Sequence, residues 1–219
     1  MFSFEQNPHL FFMEGELVAR TISQSCDAVS LYRRLRYEYF VVQKQWVKSD
    51  LPVLGEGHES DKYDPLAHHF GVFEGGNLLG YLRALSWSEE HGFMLEHDFR
   101  CLLCDETVTA LHRKHSLEIS RLVLALGLSP DSVLRVTELL FKLLYQFSRQ
   151  NEVEHLYAVV EPAWLRRFQR CFHLPFRAMG VAHRFPDGTR AVAAHASLSD
   201  LEESLRTADP LKLLWYRKP

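Results

Sequence analysis

Residues 69–87 read HFGVFEGGNLLGYLRALSW. Two apolar, aromatic-rich runs, 69–73 and 78–87, flank Gly75-Gly76-Asn77, and a Gly-rich step of this kind between strand-like runs predicts a hairpin. On its N-terminal side, residues 11–21 predict a first strand. Residues 26–41 place Val29, Tyr32, Leu35 and Tyr39 at helical spacing. Residues 48–65, rich in Gly, Pro, Asp, Glu and Ser, predict a long loop of the length that serves as a lid or binding loop.

On the C-terminal side, residues 117–126 form a strongly apolar strand pattern. Residues 131–150 form an amphipathic helix opened by Ser129-Pro130, a capping residue followed by one pre-set for a first turn. A strand over 155–160, a helix over 163–171 begun after Pro162, a strand pair from 176–179 and 191–196, and a closing helix over 198–205 complete the order. A helix, an antiparallel meander and then alternating strands and helices predict an α+β, three-layer α/β/α chain. Its expected form is the acetyltransferase-like (GNAT-type) fold, with a central mixed, mostly antiparallel sheet flanked by helices. With 219 residues and 47% hydrophobic content the chain is read as a single domain over 1–219. A helix and a mobile loop are expected in 1–66 and the sheet core in 67–219. No internal repeat or low-complexity tract interrupts it.

The formal net charge is −3, which gives no global basic field for nucleic acid or an anionic membrane. The amino end lacks a signal-peptide pattern and no apolar run approaches a membrane span, so a cytoplasmic protein with no stable membrane insertion is expected. Cys26, Cys101, Cys104 and Cys171 form no disulfide framework, and Cys101-Leu-Leu-Cys104 has no second half to complete a zinc site. The pair is read as ordinary thiols packed on one helical face. None of the 12 histidines falls in a strong ligand spacing, so no metal is expected, and His68-His69 is read as a strand entrance.

A series of charged and aromatic residues stands out against this apolar background. Arg36, Phe40 and Trp46 occur in LRYEYFVVQKQWV, Asp61 and Asp64 in ESDKYD, Arg83 in GYLRAL, and Glu118, Ser120 and Arg121 in LEISRLVL. A charge in such surroundings is costly unless it meets a partner or a ligand, so the series marks a site.

In this order and spacing, over residues 31–126, the series resembles the acyl-homoserine-lactone (autoinducer) synthases. It is similar also to their relatives, the N-acyl amino acid synthases and the acyltransferases of the PEP-CTERM/exosortase system. The resemblance implies acyl transfer from a carrier-protein thioester to a small amine. Glu118 is then the general base, acting directly or through water, with Ser120 beside it and Arg121 completing the catalytic set; a purely structural ion pair of Glu118 with an arginine is the alternative. A regular strand would turn Glu118 and Ser120 to one face and Arg121 to the other unless a bulge intervenes. Arg36, Asp61 and Asp64 would form the acceptor side, with Arg83 as their counter-charge and Phe40 and Trp46 as an aromatic wall. Closure of the loop over the acceptor would bring Asp61 or Asp64 towards Arg83, and Asp64→Asn would weaken acceptor use more than folding.

Departures from the pattern bear on the substrates. RALSWSEEHGF follows the position of Arg83 where the lactone synthases commonly carry a proline-threonine step, which turns the reading from S-adenosylmethionine towards an amino-acid-type acceptor. The C-terminal third, HLYAVVEPAWLRRFQRCFHLPFRAMGVAHRFPDG, is similar to the exosortase-associated and N-acyl amino acid branch. ALGLSPDSV follows the Glu118 strand in place of a glycine-rich pyrophosphate loop, which favours a carrier protein over coenzyme A as donor. Arg166, Arg167 and Arg170, with Arg177 and Arg184, could form a basic patch for the acidic acyl carrier protein; the same run also reads as a solvated helix face. No tightly bound cofactor is implied, and acyl carrier protein or acyl-CoA enters as co-substrate. A lactone synthase, a coenzyme A dependent N-acetyltransferase and a non-catalytic acyl-carrier or lipid sensor remain the alternative functions.

Overall fold

Gly15, at φ 62°, turns the first apolar run back on itself, giving strands β1 (Phe11–Glu14) and β2 (Leu17–Ile22) where the sequence pattern predicts one strand. A positive φ is open to glycine at little cost, and a two-residue turn needs it. The computed structural model describes residues 9–24, 27–46 and 57–218. Cys26 and half of the predicted 48–65 loop, residues 48–56, lie outside the described residues.

Helix α1 (Ala28–Arg36) continues directly into a π-helical stretch, Tyr37–Gln43. Strands β3 (Ala67–Glu74) and β4 (Asn77–Ser86) are joined at Gly75 and Gly76, whose φ values of 54° and 84° make the predicted hairpin turn. Two short helices follow, α2 (Met94–His97) and α3 (Asp105–Thr109), then β5 (Ser116–Leu124) and the long helix α4 (Pro130–Gln150), whose first turn is capped by Ser129 Oγ accepting from the Ser132 N–H at 3.1 Å. The chain ends with β6 (His155–Val160), α5 (Pro162–Phe172), β7 (Arg177–Ala178), β8 (His183–Arg184), β9 (Arg190–Ser197), α6 (Leu198–Ala208) and α7 (Pro210–Arg217). The strands run in the order β1-β2-β3-β4-β5-β6-β9-β7, with β8 on β9. The β5–β6 pair is parallel and the β1–β2, β2–β3, β6–β9, β7–β9 and β8–β9 pairs are antiparallel.

Two compact units make up the chain: Met1–Ala84 with Arg121–Phe147, and Leu85–Ser120 with Ser148–Pro219. In the first, strand alternation on β4 turns Tyr81 into a core with Tyr32 and Leu35 of α1, Ile22, Phe73 and Phe40, while Gly80 faces α4 on the opposite side. That places one helix on each side of the strands. In the second, Phe93, Leu95, Leu102, Leu103 and Leu111 gather over Tyr157 of β6 and Ala193 of β9.

Other parts of the chain also depart from the sequence pattern. Residues 88–115, left unassigned by periodicity, fold around Glu96, whose carboxylate accepts from Trp87 Nε1 at 3.0 Å, the Phe93 N–H at 3.1 Å and Arg113 Nε at 3.0 Å. Cys101 and Cys104 are exposed rather than packed on a helical face, because Cys101 sits in a 3-10 turn and Cys104 immediately precedes α3. Helix α7 follows the helix expected to close the chain; Asp209 caps it, accepting from the Lys212 N–H at 3.0 Å, and Pro210 begins it.

An added Cβ at Gly80 would stand 2.4 Å from Val136 Cγ1 and within 3.2 Å of Leu124 and Leu140 side-chain carbons. Gly80→Ala should therefore cost about 1–3 kcal/mol through overpacking of α4 against β4. Urea unfolding should show a lower midpoint at unchanged m-value, and an unchanged midpoint would mean that α4 shifts freely.

Candidate functional site

Three arginines of the first unit converge on one acidic segment. α1 ends on Arg36, β4 carries Arg83 and β5 carries Arg121, and all three guanidinium groups turn to the segment 57–64. Glu59 accepts from Arg36 Nε and, at 3.0 Å, from Arg121 Nη2. Asp64 Oδ1 accepts from Arg36 Nη1 at 2.6 Å and from Arg83 Nη1 at 2.7 Å. Asp61 accepts from Arg83 Nη1 at 2.5 Å and from Arg121 Nη2 at 3.0 Å. The contacts close a ring of alternating sign, Glu59–Arg36–Asp64–Arg83–Asp61–Arg121, in which every charge meets two of the opposite sign.

The backbone is arranged to serve this ring. The Glu59 N–H donates to the Arg33 carbonyl at 3.0 Å, fastening the 57–64 segment to α1. Asp61 Oδ1 accepts the Tyr63 N–H at 2.9 Å and Asp64 Oδ2 accepts the Asp61 N–H at 3.0 Å, so both aspartates also cap their own turn. Arg121 takes φ 54°, a left-handed conformation that is strained for a residue with a Cβ, and strand alternation does not carry through it. The sequence left room for a bulge here, and the local backbone departs from regular strand at this residue.

Beneath the ring lies an aromatic layer. Tyr32 stacks on His69 and Tyr81 with ring centroids 4.9 and 4.7 Å apart, and the Arg36 guanidinium lies 5.8 Å from both tyrosine ring centres. His69 joins the layer to the ring: its Nδ1 pairs with the Tyr81 hydroxyl at 2.7 Å and its Nε2 lies 3.0 Å from the Asp64 carbonyl. Phe40, brought inward by the π-helical stretch, packs under Arg121 at 5.2 Å, and Trp46 packs on Phe40 at 6.0 Å. Both aromatic residues belong to the edge of the core, Phe40 buried within it and Trp46 half-buried against it.

The electrostatics follow from this packing. Burial by itself would push the Asp61 carboxyl up, but the charges of Arg83, Arg121 and Arg36 outweigh it and hold the group down at about 2. Asp64 is likewise held below its ordinary range, burial being overcome chiefly by Arg36. Burial keeps His68 and His69 neutral, each lowered to about 4.

Exposure divides the ring. The side chains of Arg36 and Arg83 are 0% exposed and those of Glu59 and Asp64 no more than 2%, while Asp61 and Arg121 each retain 20%. Arg36, Asp64 and Arg83, expected on the acceptor side, are thus engaged with each other below the surface. The expectation that loop closure would bring the aspartates to Arg83 is corrected: Asp61 and Asp64 are in contact with it as part of the folded ring. Glu59 was not singled out in the sequence, although three arginines against two aspartates in apolar surroundings call for a third carboxylate.

In the second unit, Glu118 is fully buried on β5 and its Oε1 accepts the Leu95 N–H at 3.0 Å. It is paired in register with Tyr157 of β6, which in turn pairs with His195 of β9. Ser120 is half-buried two residues further on. Arg166 and Arg170 are exposed on α5, and Arg167 lies 5.2 Å over the Trp164 ring. Arg177 and Arg184 are exposed on β7 and β8. Among the described residues no three His, Cys, Asp or Glu side chains are grouped to hold a metal, and no helix is long and apolar enough to cross a membrane.

No family model and no curated protein sequence matches the chain. Solved structures do share its fold. LasI, an acyl-homoserine-lactone synthase, superposes with a TM-score of 0.69 at 22% identity over 87% of this chain and 95% of its own. BjaI, described as a CoA-dependent acyl-homoserine lactone synthase and solved with SAM and isopentyl-CoA, gives 0.68 at 20% identity over 85% and 87%. FeeM, an N-acyl amino acid synthase from uncultured soil microbes, gives 0.62 at 16% identity over 86% and 94%. The α+β, acetyltransferase-like architecture expected from the order of elements is the one found.

Two tests follow from the ring and the layer beneath it. Asp64→Asn leaves two buried guanidinium groups short of a partner and should cost about 3–5 kcal/mol, whereas Asp61→Asn at the exposed edge should cost clearly less; equal losses in urea unfolding would dissolve the distinction between the ring's inside and edge. The pH dependence has a defined sign. His69 stays neutral in the fold but takes a proton near 6.5 when unfolded, so stability falls as pH drops from about 6.5 towards 4 and levels off below, by on the order of 3 kcal/mol at most for this one ring. His69→Gln should flatten that slope, and a slope identical to that of the parent chain would remove His69 from the account.

Proposed function

We propose that the chain is an N-acyltransferase moving a fatty acyl group from an acyl-carrier-protein thioester to the amine of an amino-acid-type acceptor. The observation that carries this reading is the Asp61–Arg121 edge of a charge ring, in a fold shared with FeeM and the lactone synthases. A carboxylate beside a guanidinium, joined at 3.0 Å, matches the ammonium and carboxylate of an amino acid. The remaining ring members, Arg36, Glu59, Asp64 and Arg83, hold that edge in place. Phe40 and Trp46 supply the apolar wall beside it.

Glu118 is the proposed general base. The acceptor must lose a proton before its nitrogen can attack the thioester carbonyl. The N–C bond forms as the carbonyl oxygen gains charge; the C–S bond then breaks, the nitrogen gives its second excess proton to solvent, and the proton held by Glu118 passes to the pantetheine thiolate. The Leu95 N–H fixes one carboxylate oxygen of Glu118 and so orients the group. Ser120 and Arg121 complete the proposed catalytic set. Arg166, Arg167 and Arg170 on α5 would face the acidic carrier. Acyl-CoA is the other donor of the same chemistry, and no resident cofactor is needed.

A second reading rests on the same fold, which LasI and BjaI share as well as FeeM: an acyl-homoserine-lactone synthase using S-adenosylmethionine. Mass spectrometry of lipid extracts from cells expressing the chain separates the two. Acyl amino acids support the first reading and acyl lactones the second. Neither product, from an overexpressed and folded chain, overturns acyl transfer. Glu118→Gln should keep the fold and lower turnover on the order of 100-fold or more; unchanged turnover at neutral pH would remove Glu118 from the mechanism. Acyl-carrier-protein donors should be used with a higher kcat/KM than the matching CoA thioesters, and the advantage should shrink with salt if the α5 arginines steer the carrier. Equal use of both donors at every salt concentration would count against the carrier.

A further inference from the structure

We infer that Glu59 is a positioning residue of this site, holding Arg121 in the orientation that presents its guanidinium beside Asp61. The inference rests on the acyl-transfer reading for its kinetic part and on the ring geometry alone for its structural part. Glu59 lies in a polar segment, yet its side chain is 1% exposed and each of its oxygens is committed to a different arginine. Oε2 takes Arg36 Nε and Oε1 takes Arg121 Nη2 at 3.0 Å. No other carboxylate in the ring joins these two arginines through hydrogen bonds to both; Asp61 bonds Arg121 but lies 3.8 Å from Arg36.

Arg121 has reason to need such a hold. It is the ring member with the strained backbone, at φ 54°, and one of the two that reach the surface. Its Nη2 is shared between Glu59 inside and Asp61 at the edge, both at 3.0 Å, so the inner contact fixes the direction in which the outer one points. Arg36 cannot move with it, because Asp64 grips its other arm at 2.6 Å and the stacked Tyr32 and Tyr81 lie against its guanidinium. Glu59 therefore transmits the rigidity of α1 to the edge at which the acceptor would bind. Removing its charge leaves the ring with three guanidinium groups and two carboxylates. Arg121 is the arginine free to turn outward in response.

The effect separates from simple loss of folding, because KM does not depend on the fraction of chains folded whereas apparent kcat does. In Glu59→Gln, KM for the amine should rise on the order of 10-fold, and in Glu59→Asp, which keeps the charge on a shorter arm, the rise should be smaller. A fall in kcat tracking the folded fraction, with KM unchanged in both variants, would reduce Glu59 to a structural residue and overturn the inference. Nitrogen-15 NMR of the arginine side chains gives a readout that needs no turnover. In Glu59→Asp, chosen as the milder change, the Arg121 Nη and Arg36 Nε signals should lose their protection from exchange while those of Arg83 keep it. Equal protection of all three in the variant and the parent would also overturn the inference. If the parent chain transfers no acyl group to any amine, the acyl-transfer reading fails by itself, and the NMR comparison still decides whether Glu59 holds Arg121.

Discussion

Every charge in the Glu59–Arg36–Asp64–Arg83–Asp61–Arg121 ring is shared between two neighbours of opposite sign, and this reciprocal arrangement allows six ionic groups to sit in or under an apolar core. A single buried ion pair gains little, since desolvation costs several kcal/mol per ion and one contact rarely recovers it. A closed ring changes the balance, because each ion is desolvated once but attracted twice, and the guanidinium fork is shaped to address two acceptors. The same closure makes the ring fragile. Losing an inner member leaves two opposite charges short at once, so the segment 57–64, α1 and β4 are held to one another by groups that cannot be removed singly.

Much local irregularity in the first unit can be traced to that closure. Three arginines from three separate elements must meet carboxylates on a single eight-residue segment, and regular helix and strand do not aim them there unaided. The π-helical stretch after Arg36 widens the helix and turns Phe40 inward, under Arg121. The left-handed residue in β5 is Arg121 itself, where the strain of a positive φ is offset by two ionic hydrogen bonds. His69 works in the opposite sense. Kept neutral by burial, it bridges the Tyr81 hydroxyl and the Asp64 carbonyl without adding a charge that would unbalance the ring.

What could be read from the sequence follows the same physics. Arg36 and Arg83 were visible because each interrupts an apolar pattern, and a charge there demands a reason. Asp61 and Asp64 were visible through their spacing and the resemblance, although the sequence placed them on a closing loop and the structure has them already bound. Glu59 was not visible, since a carboxylate in a Gly- and Ser-rich segment looks solvated and nothing local shows that it folds inward. The hairpin at 75–76 and helix α4 were legible from turn chemistry and period. The β1–β2 turn was hidden by a single glycine, and α2 and α3 were hidden because helices of four and five residues are too short to display a period. Their fold depends on Glu96, a side chain satisfied only by partners up to 17 residues away.

A ring whose charges are paired with one another bears on how a site built on it would discriminate. Its inner members are buried and paired with one another, so on the acyl-transfer reading an acceptor does not reach Arg36, Arg83 or Asp64; it meets the partly exposed pair that the others hold still. Affinity then depends on how well two opposite charges on the ligand match the fixed separation of Asp61 and Arg121, because reorienting either would strain a bond inside. An amine lacking a carboxylate would cover Arg121 while offering its guanidinium nothing beyond the Glu59 and Asp61 contacts it already has. That penalty falls on the wrong ligand alone, and selectivity of this kind is produced by what the ring refuses to rearrange.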